Sequence, residues 1–514
     1  MALWRPALAN GQSVPVSLVW ITNSTVKLEQ IIGDYDWAAL AQGSNVPTAS
    51  QTVSRFHILG NGLGYSFEDK GKLIFLFGDT ISETVSNWNY HAADPLAWST
   101  TASGESPLLL NFFTNNPVTN ALTEFTPIFV QPAGIKMGPF DIPNSGISLS
   151  NGVFLVCNTG ADANNTNDVH AAAYSVLVTF NETNLLSATN TFATDFFVTN
   201  RIISMLNTNL DPASPMQGHF IFTSQREFGT NVVIFGVGAV RASDVYLSMV
   251  PTANFLSGNG TLYFTGLTNG QPTWSAAESN AVPVVQDNPT NGPPWPNDNP
   301  AVGNVSVIYS TNLSLWLMNY DGGGNTGKKN KDQTTGIYFS AAPKPWGPWS
   351  QPQLIFNKYR DNADGVFIYD AKTQTGPAGP TISPTNNPPD STEGGDFAPI
   401  MIERFTTVQS NTLTIYYTMS TWNPYTVVKM RSQFLIVPQI DPGTLVYKKN
   451  KFSFAWSAPT NGSYQVDYSS NLLAGWTEFT NIITSTNGIF NFTNDETHNG
   501  GLPPLRFYRL RTTP

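Results

Sequence analysis

Apolar runs of strand length recur along the whole chain, among them KLIFLFGDT (72–80), GVFLVCN (152–158), YSVLVTF (174–180), HFIFTS (219–224), NVVIFGVGAV (231–240), VSVIYS (305–310), LSLWLMNY (313–320), GIYFS (336–340), TLTIYYTMS (412–420) and VVKMRSQFLIV (427–437). Each is bounded by Gly, Pro, Asn, Asp or Ser, and no helical period is sustained between them beyond a turn or two. The pattern predicts an all-β fold. The runs group into five units, from about Leu59 to Leu110, Phe140 to Phe197, Met216 to Trp274, Pro300 to Phe356 and Asp396 to Val437. Within a unit an inner strand leads into a hairpin and then a more polar outer strand, which is the order of a propeller blade. The expected body is therefore a five-bladed β-propeller over residues 50–441, preceded by an N-terminal strand or extension over 1–49.

Linkers rich in Pro, Asn and Gly separate the units, notably QDNPTNGPPWPNDNP (286–300) and AKTQTGPAGPTISPTNNPPDSTEGG (371–395). They are too long for ordinary turns and are expected to fold over one face. After about Pro442 the character changes. Residues 442–514 carry strands of their own and resemble the small fibronectin-like β-sandwich modules of exported bacterial proteins, through Tyr464 to Tyr468, Trp476 and Phe507 to Arg511.

Composition narrows the function. Charged residues make up only 12% of the 514 residues, so surface polarity must come from Asn, Thr, Ser and Gln. The net charge of −10, with no Lys/Arg-rich run, gives a phosphate backbone nothing to bind, so no nucleic-acid partner is expected. No stretch of 18 or more apolar residues exists to span a bilayer as a helix. The single cysteine, Cys157, lies in an apolar run and is read as a core strand residue. MALWRPALANGQ lacks the features of a leader, so a secreted or cell-surface location is inferred from the low charge and from the resemblance given below.

No zinc spacing, phosphate loop or nucleophile elbow is present, and GGGNTGKK (322–329) reads as a hairpin loop. Chemistry must come from elsewhere. Cleaving a glycosidic bond needs two carboxyl groups facing each other across it. The starts of a propeller's innermost strands converge on the channel, so acids there meet although distant in sequence. Candidates are Asp79, Asp141 in GPFDIPNSG, Glu227 in SQREFG beside Arg226, Asp298 in WPNDNPAVG and Asp396 in EGGDFAPI. Any of them could instead cap a turn. Trp98, Trp295, Trp422 and Tyr425 offer faces on which a sugar ring could stack. His91, three residues before Asp94, could donate to a substrate hydroxyl or be a loop histidine. Trp346 and Trp349 read as packing residues between blades.

FLFGDTIS (75–82), NYHAADPLAWSTT (89–101), AAPKPWGPWSQP (341–352) and YYTMSTWNPYTVVKMR (416–431), in that order, resemble the propeller family of domain-of-unknown-function number 4185. Part of that family is recognised as glycoside hydrolase family 183, the endo-D-arabinanases. The resemblance covers about 50–437 and is most specific at S-T-W-N-P-Y. One departure stands out: many members carry G-T-D-L-G at the entry to the first blade, whereas this chain reads GNGLG (60–64), with Gly62 where the acid would be.

The resemblance implies a secreted hydrolase of a polysaccharide, endo-D-arabinanase-like, acting through channel-facing carboxylates. Asp79, in the family's G-D-T, and Asp396, between a Gly pair and a strand, are the preferred acids. No cofactor is called for, and Ca²⁺ in the channel stays open. The alternative is a non-catalytic glycan-binding or adhesion propeller that has lost the acid pair.

Overall fold

The computed structural model describes residues 16–82, 94–113, 142–159, 174–180, 197–205, 218–238, 243–286, 302–322, 335–380, 393–449, 451–459, 462–473, 475–495 and 505–512. The chain is all-β; among the described residues the α-helices are two five-residue turns, Trp37–Ala41 and Thr52–Phe56.

Five antiparallel sheets form the body. Their first strands are Ile58–Asp69, Ile142–Leu149, Phe222–Phe228, Val305–Ser310 and Asp396–Met401. Each first strand contacts the next, and the fifth contacts the first, so the five close into a ring. Small hydroxyl side chains join them. Ser148 Oγ donates to Asp69 Oδ1 (2.6 Å), Ser145 and Thr223 share a hydrogen bond (2.7 Å), Val307 N donates to Ser224 Oγ (3.0 Å), and Met401 N donates to Ser306 Oγ (2.9 Å). The ring closes where Leu63 N donates to Ser420 Oγ (2.7 Å) and Thr418 Oγ1 donates to Gly64 O (3.0 Å). Partners advance together along neighbouring strands, so the five first strands run in one direction. A closed ring of antiparallel sheets is the arrangement of a propeller.

Because every sheet is flanked by two others, its strands are apolar on both faces; Leu315–Gly322 is buried throughout. Cys157 lies in the core shared by all five sheets, the fifth contributing Ala398 and Ile400. Trp346 and Trp349 bind the fourth sheet to the third through edge-on contacts with Phe228 (5.9 Å), Trp274 (6.2 Å) and Phe235 (5.8 Å).

The stretch read as an N-terminal strand or extension supplies the outer strands of the fifth sheet. Val16–Trp20 and Val26–Gln30 both pair with the long strand Tyr425–Ile440. A buried ion pair fastens this seam to the first sheet: Lys429 Nζ meets Glu29 Oε1 at 2.5 Å and donates to Ser106 O at 2.7 Å, while Glu29 Oε1 accepts from Leu108 N at 2.9 Å. Beyond the ring, the end of Tyr425–Ile440 pairs with Lys451–Ser457. A sheet of Val446–Lys448, Lys451–Ser457 and Ile489–Asn494 then packs on one of Tyr464–Ser469, Thr477–Glu478 and Phe507–Thr512 around Phe454, Trp456, Tyr464, Val466, Phe479, Phe490 and Phe492.

The common direction of the first strands makes the two faces of the ring unlike. At one, first and second strands are joined by tight turns such as 70–71, 150–151 and 229–230. The strand ends joined by 83–95, 113–141, 160–173, 206–221, 323–335 and 357–395 lie at the other face, called the mouth below. Long connections at the mouth give it room for variable chemistry.

Candidate active site

Asp79 sits near the mouth end of the second strand of the first sheet, Lys72–Ser82. Gly62 pairs with Gly78 and Gly60 with Ile81, so the second strand carries one extra residue opposite Asn61. Asp79 takes up that bulge in the left-handed region (φ 52°), which Asp tolerates better than most residues. Protein surrounds its carboxyl, although the residue as a whole keeps some exposed surface. Burial pushes the acid up to about 7.

The peptide joining Gly78 to Asp79 is held at both polar atoms. Tyr425 Oη, from the fifth sheet, donates to Gly78 O at 3.3 Å, and Asp79 N donates to Asp94 Oδ1 at 3.0 Å. Tyr425 and Asp94 are both buried. Burial, then the nearby charges of Asp79 and Asp94, hold the Tyr425 phenol well above its ordinary value. Tyr425 can lie here because Gly60 and Gly62 have no side chains: a Cβ on Gly62 would stand 2.6 Å from Tyr425 Oη, and one on Gly60 2.5 Å from Tyr425 O. The glycine noted in the sequence as a departure at position 62 thus makes way for a tyrosine.

Asp396 opens the first strand of the fifth sheet and is buried. Two residues on, Ala398 is held in the left-handed region (φ 50°) within an irregularity of register, its N–H directed at Asp321 Oδ1 (3.4 Å). Asp321 also accepts from Asn304 N (2.6 Å). Trp422 lies on Gly395, whose Cβ would fall 2.1 Å from the indole, and its Nε1 donates to Glu393 O (2.7 Å). Trp422 also packs beside Phe397, with ring centroids 6.1 Å apart. Asp396, Trp422 and Tyr425 therefore share the mouth end of one sheet, and Tyr425 reaches from it to the Gly78–Asp79 peptide of the first.

The other candidates fare differently. Glu227 is exposed on Phe222–Phe228, one residue from the strand end that meets the tight turn 229–230, so it stands at the face away from the mouth and does not join Asp79 and Asp396. Its neighbour Arg226 pairs with Glu403 (3.1 Å). Trp98 is on the third strand of its sheet, with Lys72 Nζ 4.0 Å from the ring centroid, and serves packing rather than the mouth. Asp94 holds backbone. Asp141, Asp298, His91, Trp295 and residues 323–329 of the Gly-rich hairpin lie outside the described residues.

One acidic trio, Asp364, Asp370 and Glu393, has ligand atoms within 4.8 Å of one another. Lys358 enters it, bonding Glu393, Asp364 Oδ1 (2.9 Å) and Gly394 O (2.8 Å), so a lysine ammonium supplies the cation there. The trio fastens the approach to Asp396. In the sandwich, Arg509 covers Trp476 (4.5 Å) and Arg506 covers Tyr468 (4.4 Å).

Sequence reasoning missed Asn61 and Thr80. Asn61 is fully buried and neither its amide oxygen nor its nitrogen has a hydrogen-bond partner among the described residues; the same holds for Thr80 Oγ1. Their neighbours Gly60, Gly62 and Asp79 drew attention, but a buried polar group without a partner is visible only in three dimensions.

The ring of antiparallel sheets is a propeller-type all-β fold, with Asp79, Asp94 and Asp396 at one of its faces. The chain belongs to the family described as Domain of unknown function (DUF4185), whose model matches residues 48–431. No curated protein matches it. Among solved structures it is similar to a Bacteroides ovatus protein designated a hydrolase, at 10% identity over 83% of this chain and 97% of that one, with a TM-score of 0.46. It is also similar to the endo-1,5-alpha-L-arabinanase of Thermotoga petrophila, at 9% identity over 84% of each chain and a TM-score of 0.36.

Proposed function

We propose that the protein is a glycoside hydrolase that cleaves a polysaccharide at the mouth of the ring, with Asp79 as the proton donor to the leaving oxygen. The observation that carries this reading is the Asp79 carboxyl, raised to about 7 by burial at the mouth and fixed in a left-handed bulge. A carboxylic acid that stays protonated near neutral pH is what general-acid cleavage of a glycosidic bond needs. A non-glycine residue held in the left-handed region, as Asp79 is, is one of the conformations that cluster at active sites.

Asp396 is the proposed second carboxylate, acting as nucleophile or as base toward water, and Trp422 is the proposed sugar platform beside it. The finer version of the reading is an endo-acting D-arabinanase of a secreted or cell-surface protein, with the 442–514 sandwich taking no part in catalysis. Gly62 gives its space to Tyr425, and this favours the second reading, a glycan-binding propeller without hydrolysis, if Asp396 proves dispensable.

The test is a screen of the full chain on D-arabinan, L-arabinan, xylan and sulfated or fucosylated glycans, with reducing ends and product anomers followed by NMR. Release of oligosaccharides supports hydrolysis, and the anomer formed separates a retaining from an inverting pair. Binding of a glycan with no cleavage, lost in Trp422→Ala, supports the second reading and removes Asp79 as an acid catalyst.

A further inference from the structure

The register of the first two strands of the first sheet breaks between the pairs Gly60–Ile81 and Gly62–Gly78, so Asn61 faces Asp79 and Thr80 together across the bulge. Asn61 and Thr80 are 0% and 3% exposed. Neither bonds to the other or to any other described residue through its side chain. Buried polar side chains are hydrogen-bonded in the great majority of cases, and each exception calls for a partner. Leaving one unmade leaves its desolvation uncompensated and destabilises the fold. Two such residues side by side, next to a strained Asp79, form a concentration of unmet hydrogen-bonding capacity at one point of the fold.

The chemistry of the set is specific. Asn61 offers two donors and an acceptor, and Thr80 offers one donor and two acceptor lone pairs. Neither carries charge. Such a set suits a neutral group that both gives and takes hydrogen bonds, and it has nothing to hold a phosphate, a metal ion or an apolar chain.

We propose that Asn61 and Thr80 form a subsite beside Asp79 that binds the hydroxyl groups of a sugar residue. The proposal rests on the reading of Asp79 as the acid of a glycan-cleaving site and adds to it two specificity residues. With the subsite filled, the sugar's hydroxyls replace the missing partners and set the ring's register against the Asp79 carboxyl.

Two measurements on the full chain test it. The first is thermal unfolding of Thr80→Val and Asn61→Ala without ligand. Thr80→Val keeps shape and removes an unpaired hydroxyl, so its Tm rises or stays level; a hydroxyl that served the fold would lower Tm on removal. The second is calorimetric titration with arabino-, xylo- and manno-oligosaccharides in the Asp79→Asn background, where cleavage is absent and binding is read alone. The proposal expects one series to bind and each of Thr80→Val and Asn61→Ala to weaken it 10-fold or more, with Thr80→Ser restoring most of the affinity. Binding unaltered by both substitutions, or no binding by any of the three series, overturns the subsite. Hydrolysis that fails while binding depends on Asn61 and Thr80 sinks the catalytic reading and leaves the subsite standing.

Discussion

Tyr425 of the fifth sheet and Asp79 of the first are joined through a single peptide group: the Tyr425 hydroxyl donates to the carbonyl of Gly78, and the N–H of the same peptide belongs to Asp79. The last sheet of the ring thereby fixes an acid of the first. Acid placement is tied to ring closure, because Tyr425 begins the strand Tyr425–Ile440, which pairs along its length with the strand that carries the closing residues Thr418 and Ser420.

Gly62 should therefore be coupled to Tyr425. Gly62→Ala puts a methyl 2.6 Å from Tyr425 Oη and is expected to cost about 1–3 kcal/mol, as overpacking does. Tyr425→Phe alone loses one buried hydrogen bond and costs about 1 kcal/mol. In the double variant the oxygen that clashes is gone, so chemical denaturation of the four proteins in a double-mutant cycle should give a combined cost smaller than the sum. Strict additivity would mean that the two residues do not meet as described.

Stability should depend on pH through Asp79. Its folded pKa lies above the ordinary 3.8, at about 7, so the native state binds more protons than the unfolded chain between those values. Its contribution is fully present below about 3.8 and is lost as pH rises toward 7. Asp79→Asn should remove this component, and the difference in Tm between variant and wild type, measured from pH 4 to 8, should change with pH in that window. A constant difference would contradict a raised Asp79.

His219 should act in the opposite sense. Burial lowers it from 6.5 to about 4 where it stacks on Tyr246, 3.8 Å between centroids. The folded state resists protonating it, so its stability contribution is present above about 6.5 and is lost as pH falls toward 4. His219→Phe, which keeps a ring against Tyr246, should unfold with less sensitivity to acid than wild type.

The fold was legible because burial on both sheet faces writes itself into runs such as GVFLVC (152–157), and five such groups with their turns give five sheets. The N-terminal strands were harder to place: VSLVW and VKLEQ look like a hairpin of their own, and only the tertiary structure lays both on Tyr425–Ile440. For the site, G-D-T and E-G-G-D identify Asp79 and Asp396 as acids ahead of or within turns. Glu227 misled because a strand's far end and its entry look alike in sequence when residues 229–230 form the turn. The role of Gly62 depends on Tyr425, 363 positions later in the chain, and no local pattern could connect them.

The seam between chain start and first sheet should be a weak point when its charges are unbalanced. Lys429→Met leaves Glu29 without its cation in a largely buried setting and is expected to cost about 3–5 kcal/mol. Converting both, Lys429→Met with Glu29→Gln, should recover part of that loss in equilibrium denaturation. A single variant as stable as wild type would show that the pair does not fasten the ring.

The most direct test of the central claim is the rate of glycan cleavage by Asp79→Asn, measured beside its Tm. Asn accepts the same left-handed backbone and keeps the side chain's shape, but it cannot deliver a proton. The account predicts a folded protein with cleavage reduced by about 10²- to 10⁴-fold. Cleavage within a few-fold of wild type, together with a lowered Tm, would show that Asp79 caps a bulge and that the acid lies elsewhere.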